Sequence, residues 1–174
     1  MASPDHLEDL RRRVHADPTS IAFAQLAEEQ RRLGQLTEAV ATCRTGLSTH
    51  PGFMSARVTL GRALLALGQL DEAAAELQTA VTANAENLAA VRALADTLRQ
   101  QGRTAEALTR YETALRLAPN DPDLDRIVRR LRADADTANP GIDPVTASRR
   151  AAATVATLEK WMEAIDATRT KRRA

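Results

Sequence analysis

The sequence predicts an all-α chain built as an array of helical hairpins. Three observations carry that expectation. Gly34, Gly68 and Gly102 recur 34 residues apart, each at the end of a stretch with helical apolar spacing. No segment shows the strict apolar–polar alternation of a half-buried strand. Aromatic residues are only 2% of the chain (Phe23, Phe53, Tyr111 and Trp161). Close packing must therefore come from small aliphatic side chains.

The elements follow in chain order. Leu7, Leu10 and Val14 repeat the spacing of Val40, Cys43 and Leu47, and they precede Asp17-Pro18 as Leu47 precedes His50-Pro51. Residues 1–19 thus read as a degenerate half repeat, with an orphan second helix over 4–16. Three units follow, 20–53, 54–87 and 88–121, each expected to be two helices of about 14 residues around a tight turn, a spacing typical of helical repeats. The turn glycines suit the left-handed residue that ends a helix. Gly46 falls inside a helix, where it costs about 1 kcal/mol against Ala, which implies a neighbouring backbone lying close. Pro51 and Pro119 stop second helices, because proline lacks the amide donor and clashes with the preceding turn. Residues 122–136 place Leu124, Ile127, Val128 and Leu131 on one stripe, as a capping helix requires. Residues 137–144 contain Pro140, Gly141 and Pro144 and read as a linker. Residues 145–174 read as a C-terminal amphipathic helix. Val155, Leu158, Trp161, Met162 and Ile165 form its apolar stripe, and the array's own groove, a second copy or a partner are the three places open to bury it. Homo-oligomerisation through this helix is one of those options.

The repeat columns are specific. Leu26, Leu60 and Leu94 share one, and Ala27, Gly61 and Ala95 the next. Ala39, Ala73 and Ala107 share another, as do Cys43, Leu77 and Tyr111, then Gly46, Ala80 and Ala114. These columns resemble the tetratricopeptide repeat. Arg57, Cys43 and Ala85 are the weak matches, and the resemblance covers residues 20–121. It implies a right-handed superhelical solenoid whose first helices line a concave groove for peptides or helices. The family's groove columns fall on Ile21, Ala24, Glu28, Arg31 and Arg32, then Ser55, Val58, Arg62, Leu65 and Ala66, then Ala89, Arg92, Asp96, Arg99 and Gln100. Five arginines face two acids there, which favours a ligand with carboxylates and aliphatic side chains. Pairing of Glu28 and Asp96 with those arginines on an ordinary solvated face is the competing reading. The clamp by which chaperone-binding members hold a terminal carboxylate is not matched, because its columns carry Ala24, Glu28, Thr59, Ala89 and Ala93.

Composition excludes other classes. With 24 Lys+Arg against 23 Asp+Glu the net charge is +1, without the cationic excess that nucleic acid or an anionic membrane demands. The basic cluster Arg169–Arg173 complements a helix C-terminus, and nucleic-acid or lipid contact is the lesser reading of it. No run of 18 apolar residues spans a membrane, and Met1–Val14 lacks the apolar core of a secretory signal, so a cytoplasmic protein is expected. Arginine far outnumbers lysine, as in bacteria with GC-rich coding. Cys43 alone builds no internal disulfide or multi-cysteine metal site, and it is expected to be an inert buried thiol. His6, His15 and His50 form no ligand pair and read as solvated helix-end residues. Serines read as helix caps. No catalytic residue, cofactor or metal is expected. The sequence thus points to a non-catalytic adaptor that docks a protein or peptide partner in its groove. A small chaperone for a secretion or pilus component, or an enzyme's regulatory subunit, are the alternatives.

Overall fold

The computed structural model describes residues 4–17 and 20–138. Among them are eight helices and no strand: α1 (Pro4–Ala16), α2 (Ala22–Arg32), α3 (Leu36–Thr49), α4 (Met54–Ala66), α5 (Leu70–Ala83), α6 (Leu88–Gln100), α7 (Thr104–Leu117) and α8 (Pro122–Ala138). The cap expected to stop at 136 therefore runs two residues further. The remainder of the proposed linker and the C-terminal stripe of Val155, Leu158, Trp161, Met162 and Ile165 lie outside the described residues. The described residues up to Arg132 form one compact unit.

The three hairpins turn by one geometry. Gly34, Gly68 and Gly102 sit at φ 78°, 75° and 78°, in the left-handed region that a Cβ disfavours. In each turn the glycine amide donates to the carbonyl three residues back and the next amide to the carbonyl five back. Gly34 N reaches Arg31 O at 3.1 Å and Gln35 N reaches Gln30 O at 2.8 Å, and the same pair of bonds recurs after α4 and α6. This closure satisfies helix-end carbonyls that would otherwise lack donors.

From α1 to α7 each helix packs on the next. In addition α2 packs on α4 and α4 on α6, while α3, α5 and α7 make no such close approach to one another. The first helices thus form a contiguous inner layer. The second helices are joined by longer polar side chains: Arg44 to Glu72 at 2.6 Å and, less tightly, Arg110 to Gln78 at 3.4 Å. The small residues of the helical repeat columns are buried, Gly46 and Gly61 among them, with Ala27, Ala39, Ala73, Ala95, Ala107 and Ala114 wholly inaccessible.

The core falls into two main groups. One gathers Phe23, Val40, Cys43, Leu60 and Leu64 of the first two repeats. The other gathers Leu77, Val91, Leu94, Tyr111, Leu124 and Val128. The second group joins repeats two and three to α8, so each repeat completes its core with its neighbour. Leu7 and Leu10 of α1 pack on Leu26 in the same manner.

Several details depart from expectation. A Cβ on Gly46 would overlap the ring of Phe23, so the close neighbour is a side chain and not a backbone. His50 is half-buried and stacks on Phe23, with ring centroids 6.1 Å apart, because the end of α3 turns it over that ring. Ser48 lies inside α3 and donates to Thr45 O at 2.7 Å, so it caps no helix start. Ser20 Oγ accepts the Ala22 amide at the start of α2 at 3.3 Å, and further side-chain caps come from Asn87 on α6 and Asp121 on α8.

Candidate partner-binding groove

The layer of α2, α4 and α6 brings one face of each first helix onto a common surface. Two open clefts run along it. The first, about 800 Å³, lies among α1, α2 and α4 and is lined by His6, Arg13, Ile21, Ala24, Gln25, Glu28, Phe53, Ser55 and Thr59. The second, about 850 Å³, lies among α2, α4 and α6 and is lined by Arg31, Arg62, Leu65, Ala66, Leu88, Ala89, Arg92, Ala93, Asp96 and Gln100.

Glu28 stands where the clefts meet. Its two carboxylate oxygens accept from Arg31 Nη2 at 2.7 Å and Nε at 2.9 Å, the bidentate fork that suits guanidinium and carboxylate. Thr59 Oγ1 adds a third bond at 3.1 Å. The Arg31 hydrogen bond, opposed by burial, holds the Glu28 carboxyl below the usual carboxylate range. Arg62 lies 3.8 Å from the nearest Glu28 oxygen, beyond hydrogen-bond length. Burial, then repulsion from Arg31, lowers the Arg62 pKa.

The third repeat contributes differently. Arg92 pairs with Asp121 at 3.1 Å. Asp121 also accepts from the Leu124 and Asp123 amides, and these bonds, led by Leu124, hold its carboxyl low against a counteracting burial. The Tyr111 hydroxyl donates to Asp96 and accepts from Arg99 Nε at 3.2 Å. Burial first, then the bond to Asp96, pushes the Tyr111 phenol up to about 12.

The structure therefore brings Glu28, Arg31 and Arg62 together, with Leu65, Arg92 and Asp96 on the second cleft. Three expected groove residues stand elsewhere. Arg32 lines neither cleft and pairs with Glu29 at 3.2 Å. Arg99 lines neither cleft and reaches back to Tyr111. Val58 is only 6% exposed and belongs to the core, because its helix is flanked by first helices on both sides. Thr59, Phe53 and Asp121 were missed. The polar Thr59 beside apolar Val58 and Leu60, and Asp121 just before Pro122, were signals that could have found two of them.

Cys43 is wholly inaccessible, and burial pushes its thiol up to about 12. Above pH 9, its ordinary value, the unfolded chain loses this proton while the folded chain keeps it. Stability should therefore fall as pH rises from about 9 toward 12 through this group. The checks are two: native protein at pH 8 should resist thiol alkylation until denatured, and Cys43→Ala should flatten the alkaline loss of Tm. Ready alkylation of the native chain would contradict the burial.

This layered hairpin solenoid, with two clefts on its inner helices, defines a protein of the helical-repeat class. The tetratricopeptide repeat model matches residues 24–87 and 58–122. The chain belongs to the tetratricopeptide repeat family. No curated protein sequence matches it. Among solved structures it is similar to MamA from Desulfovibrio magneticus RS-1, at 19% identity over 90% of this chain and 85% of that one, with TM-score 0.70. It is also similar to TTC0263, a thermophilic TPR protein of Thermus thermophilus, at 24% identity over 75% and 73%, with TM-score 0.61. The second TPR domain of human RPAP3, solved in complex with an HSP70 peptide, matches at 16% identity over 66% and 95%, with TM-score 0.60. At these identities the likeness is one of fold. Among the described residues no helix is long and apolar enough to cross a membrane, and no group of His, Cys, Asp and Glu is placed to hold a metal.

Proposed function

We propose that this chain is a non-catalytic adaptor that docks an acidic segment of a partner protein on the face of α2, α4 and α6. Holding that segment helps assemble a multiprotein complex, in the cytoplasm. The observation that carries the reading is the pair of clefts meeting at Glu28, Arg31 and Arg62. They offer apolar walls and a cationic centre on one face, suited to an extended or helical segment. The complex of the RPAP3 domain with a peptide supports this use of the fold. The absence of the clamp residues from their columns argues for a different partner. The stripe from Val155 to Ile165 is a second docking element of the same reading, its apolar residues being suited to a protein surface.

Filling the clefts tests it. Ala24 and Ala89 line the first and second cleft, and Ala24→Arg with Ala89→Arg should block docking, with Ala24 at the edge of the first core group. Partner capture from the native host should be lost in the double variant while helicity by circular dichroism is kept. An unchanged set of captured proteins would sink the groove reading. Recovery of an exported secretion or pilus component as the groove-dependent client would favour the chaperone alternative.

A further inference from the structure

We propose that the second cleft reads a single carboxylate of the partner segment, with Arg62 as the receiving cation and Glu28 as an internal counter-charge that limits the affinity. This rests on the groove reading and names the residue that sets its specificity.

The inference begins with an imbalance. Two guanidiniums share one carboxylate. Arg31 takes both oxygens of Glu28 in its fork. Arg62 is left at 3.8 Å, and among the described residues it makes no hydrogen bond, although a guanidinium carries five N–H donors. Its side chain is 39% exposed and lines the cleft. Arg92 lines the same cleft, with its Nη1 on Asp121.

The sign and size of the ligand charge follow. At this site Arg31 is paired with Glu28 and Arg92 with Asp121, which leaves Arg62 as the cation without a hydrogen-bonded carboxylate. Asp96 already accepts the Tyr111 hydroxyl and Glu28 is bonded to Arg31, so of the cleft's three arginines Arg62 is the one that makes no hydrogen bond among the described residues. A monoanionic carboxylate matches this one unbonded guanidinium and its fork geometry. A dianionic phosphate would be repelled by the two acids at the cleft, which also disfavour a nucleic-acid backbone. Leu65, Leu88 and Ala89 on the same cleft offer contact for an aliphatic residue next to the acid. Glu28 must oppose any carboxylate that approaches Arg62, because the two negative groups share one cation. Burial and the neighbouring Arg31 already disfavour the charge on Arg62, and an added anion relieves that.

The test uses the full chain and fluorescence anisotropy with a short, C-terminally amidated peptide of Glu and Leu. Its Gln and phosphoserine counterparts are the comparison probes. The Glu peptide should bind, more weakly at high salt, and the Gln peptide should not. Arg62→Gln should weaken binding about tenfold or more, as loss of a charge-assisted bond does. Arg62→Lys should recover part of it, since the charge returns without the fork. Glu28→Gln should tighten binding by about threefold or more, by removing a like charge. Helicity by circular dichroism confirms that each variant folds.

A Glu28→Gln chain that binds no tighter, or a phosphoserine peptide that binds tighter than the Glu peptide, would overturn the proposal. Dissociation of dimers by the peptide, read by light scattering, would assign the site to a second copy and overturn it too. If Glu and Gln peptides bind alike and both are lost in Ala24→Arg with Ala89→Arg, the groove reading stands and this inference fails. If none of the probes binds, or binding ignores the cleft-filling change, both fail.

Discussion

Tyr111→Ala should destabilise the chain by about 3–5 kcal/mol, the range for deleting a buried aromatic ring. Among the described residues Tyr111 is the largest wholly buried side chain. It sits in the core shared by Leu77, Val91, Leu94, Leu124 and Val128. Removing it opens a cavity where repeats two and three meet α8, and no neighbouring helix can close it alone. The loss is also polar. The hydroxyl is the donor to Asp96, and Asp96 would be left half-buried without it. Tyr111→Phe separates the two parts, since it keeps the ring and removes the bond, at about 1–2 kcal/mol. Urea unfolding followed by circular dichroism measures both. A Tyr111→Ala variant within about 1 kcal/mol of wild type would falsify the shared-core arrangement.

Much of this fold was legible because its determinants are local and repeated. The 34-residue step fixes where a left-handed residue is needed, and Gly34, Gly68 and Gly102 all adopt it. The small columns are small because helices cross there, and those at Ala27, Ala95, Ala39 and Ala73 are wholly inaccessible. Arg57, a poor match by type, is explained only in three dimensions. It donates to Pro51 O at 2.9 Å and pairs with Glu76 at 2.6 Å, so a polar residue anchors a site where an apolar one is usual.

The candidate groove was legible in part. Which helix face carries it follows from the repeat column, so Arg31, Arg62, Leu65, Arg92 and Asp96 come to one cleft. Which charges neutralise each other does not follow. That depends on side-chain reach across helices: Arg92 finds Asp121 29 residues away, and Arg99 turns to a hydroxyl that only the third repeat supplies, since its column holds Cys43 and Leu77 in the others. Val58 shares a column with Ala24 and Arg92, yet a β-branched apolar residue in the middle repeat is covered from both sides.

Gly46→Val should destabilise by about 3 kcal/mol, the upper end for overpacking a closed core. Cβ of any residue at 46 would fall within the ring carbons Cδ2, Cγ and Cε2 of Phe23. That ring is 1% exposed and is held by two other rings. His50 stacks on it with an interplanar angle of 4°, and Phe53 tilts against it at 5.6 Å. Val also resists the helix through its branched Cβ, which adds to the strain. The repeats show how the sequence resolves the crowding. The Phe23 column continues as Arg57 and Val91, and the Gly46 column as Ala80 and Ala114. The bulkiest ring thus faces the one glycine, and the smaller Val91 shares its repeat with Ala114. The two columns therefore trade volume, and the effect of changing one depends on the other. Phe23→Val alone costs stability through lost burial. Combined with Gly46→Val, the loss should be smaller than the sum of the singles by about 1–3 kcal/mol, the coupling expected of residues in direct contact. A double-mutant cycle by urea unfolding reads this directly. Additive losses would show that Gly46 is kept small by something other than the Phe23 ring.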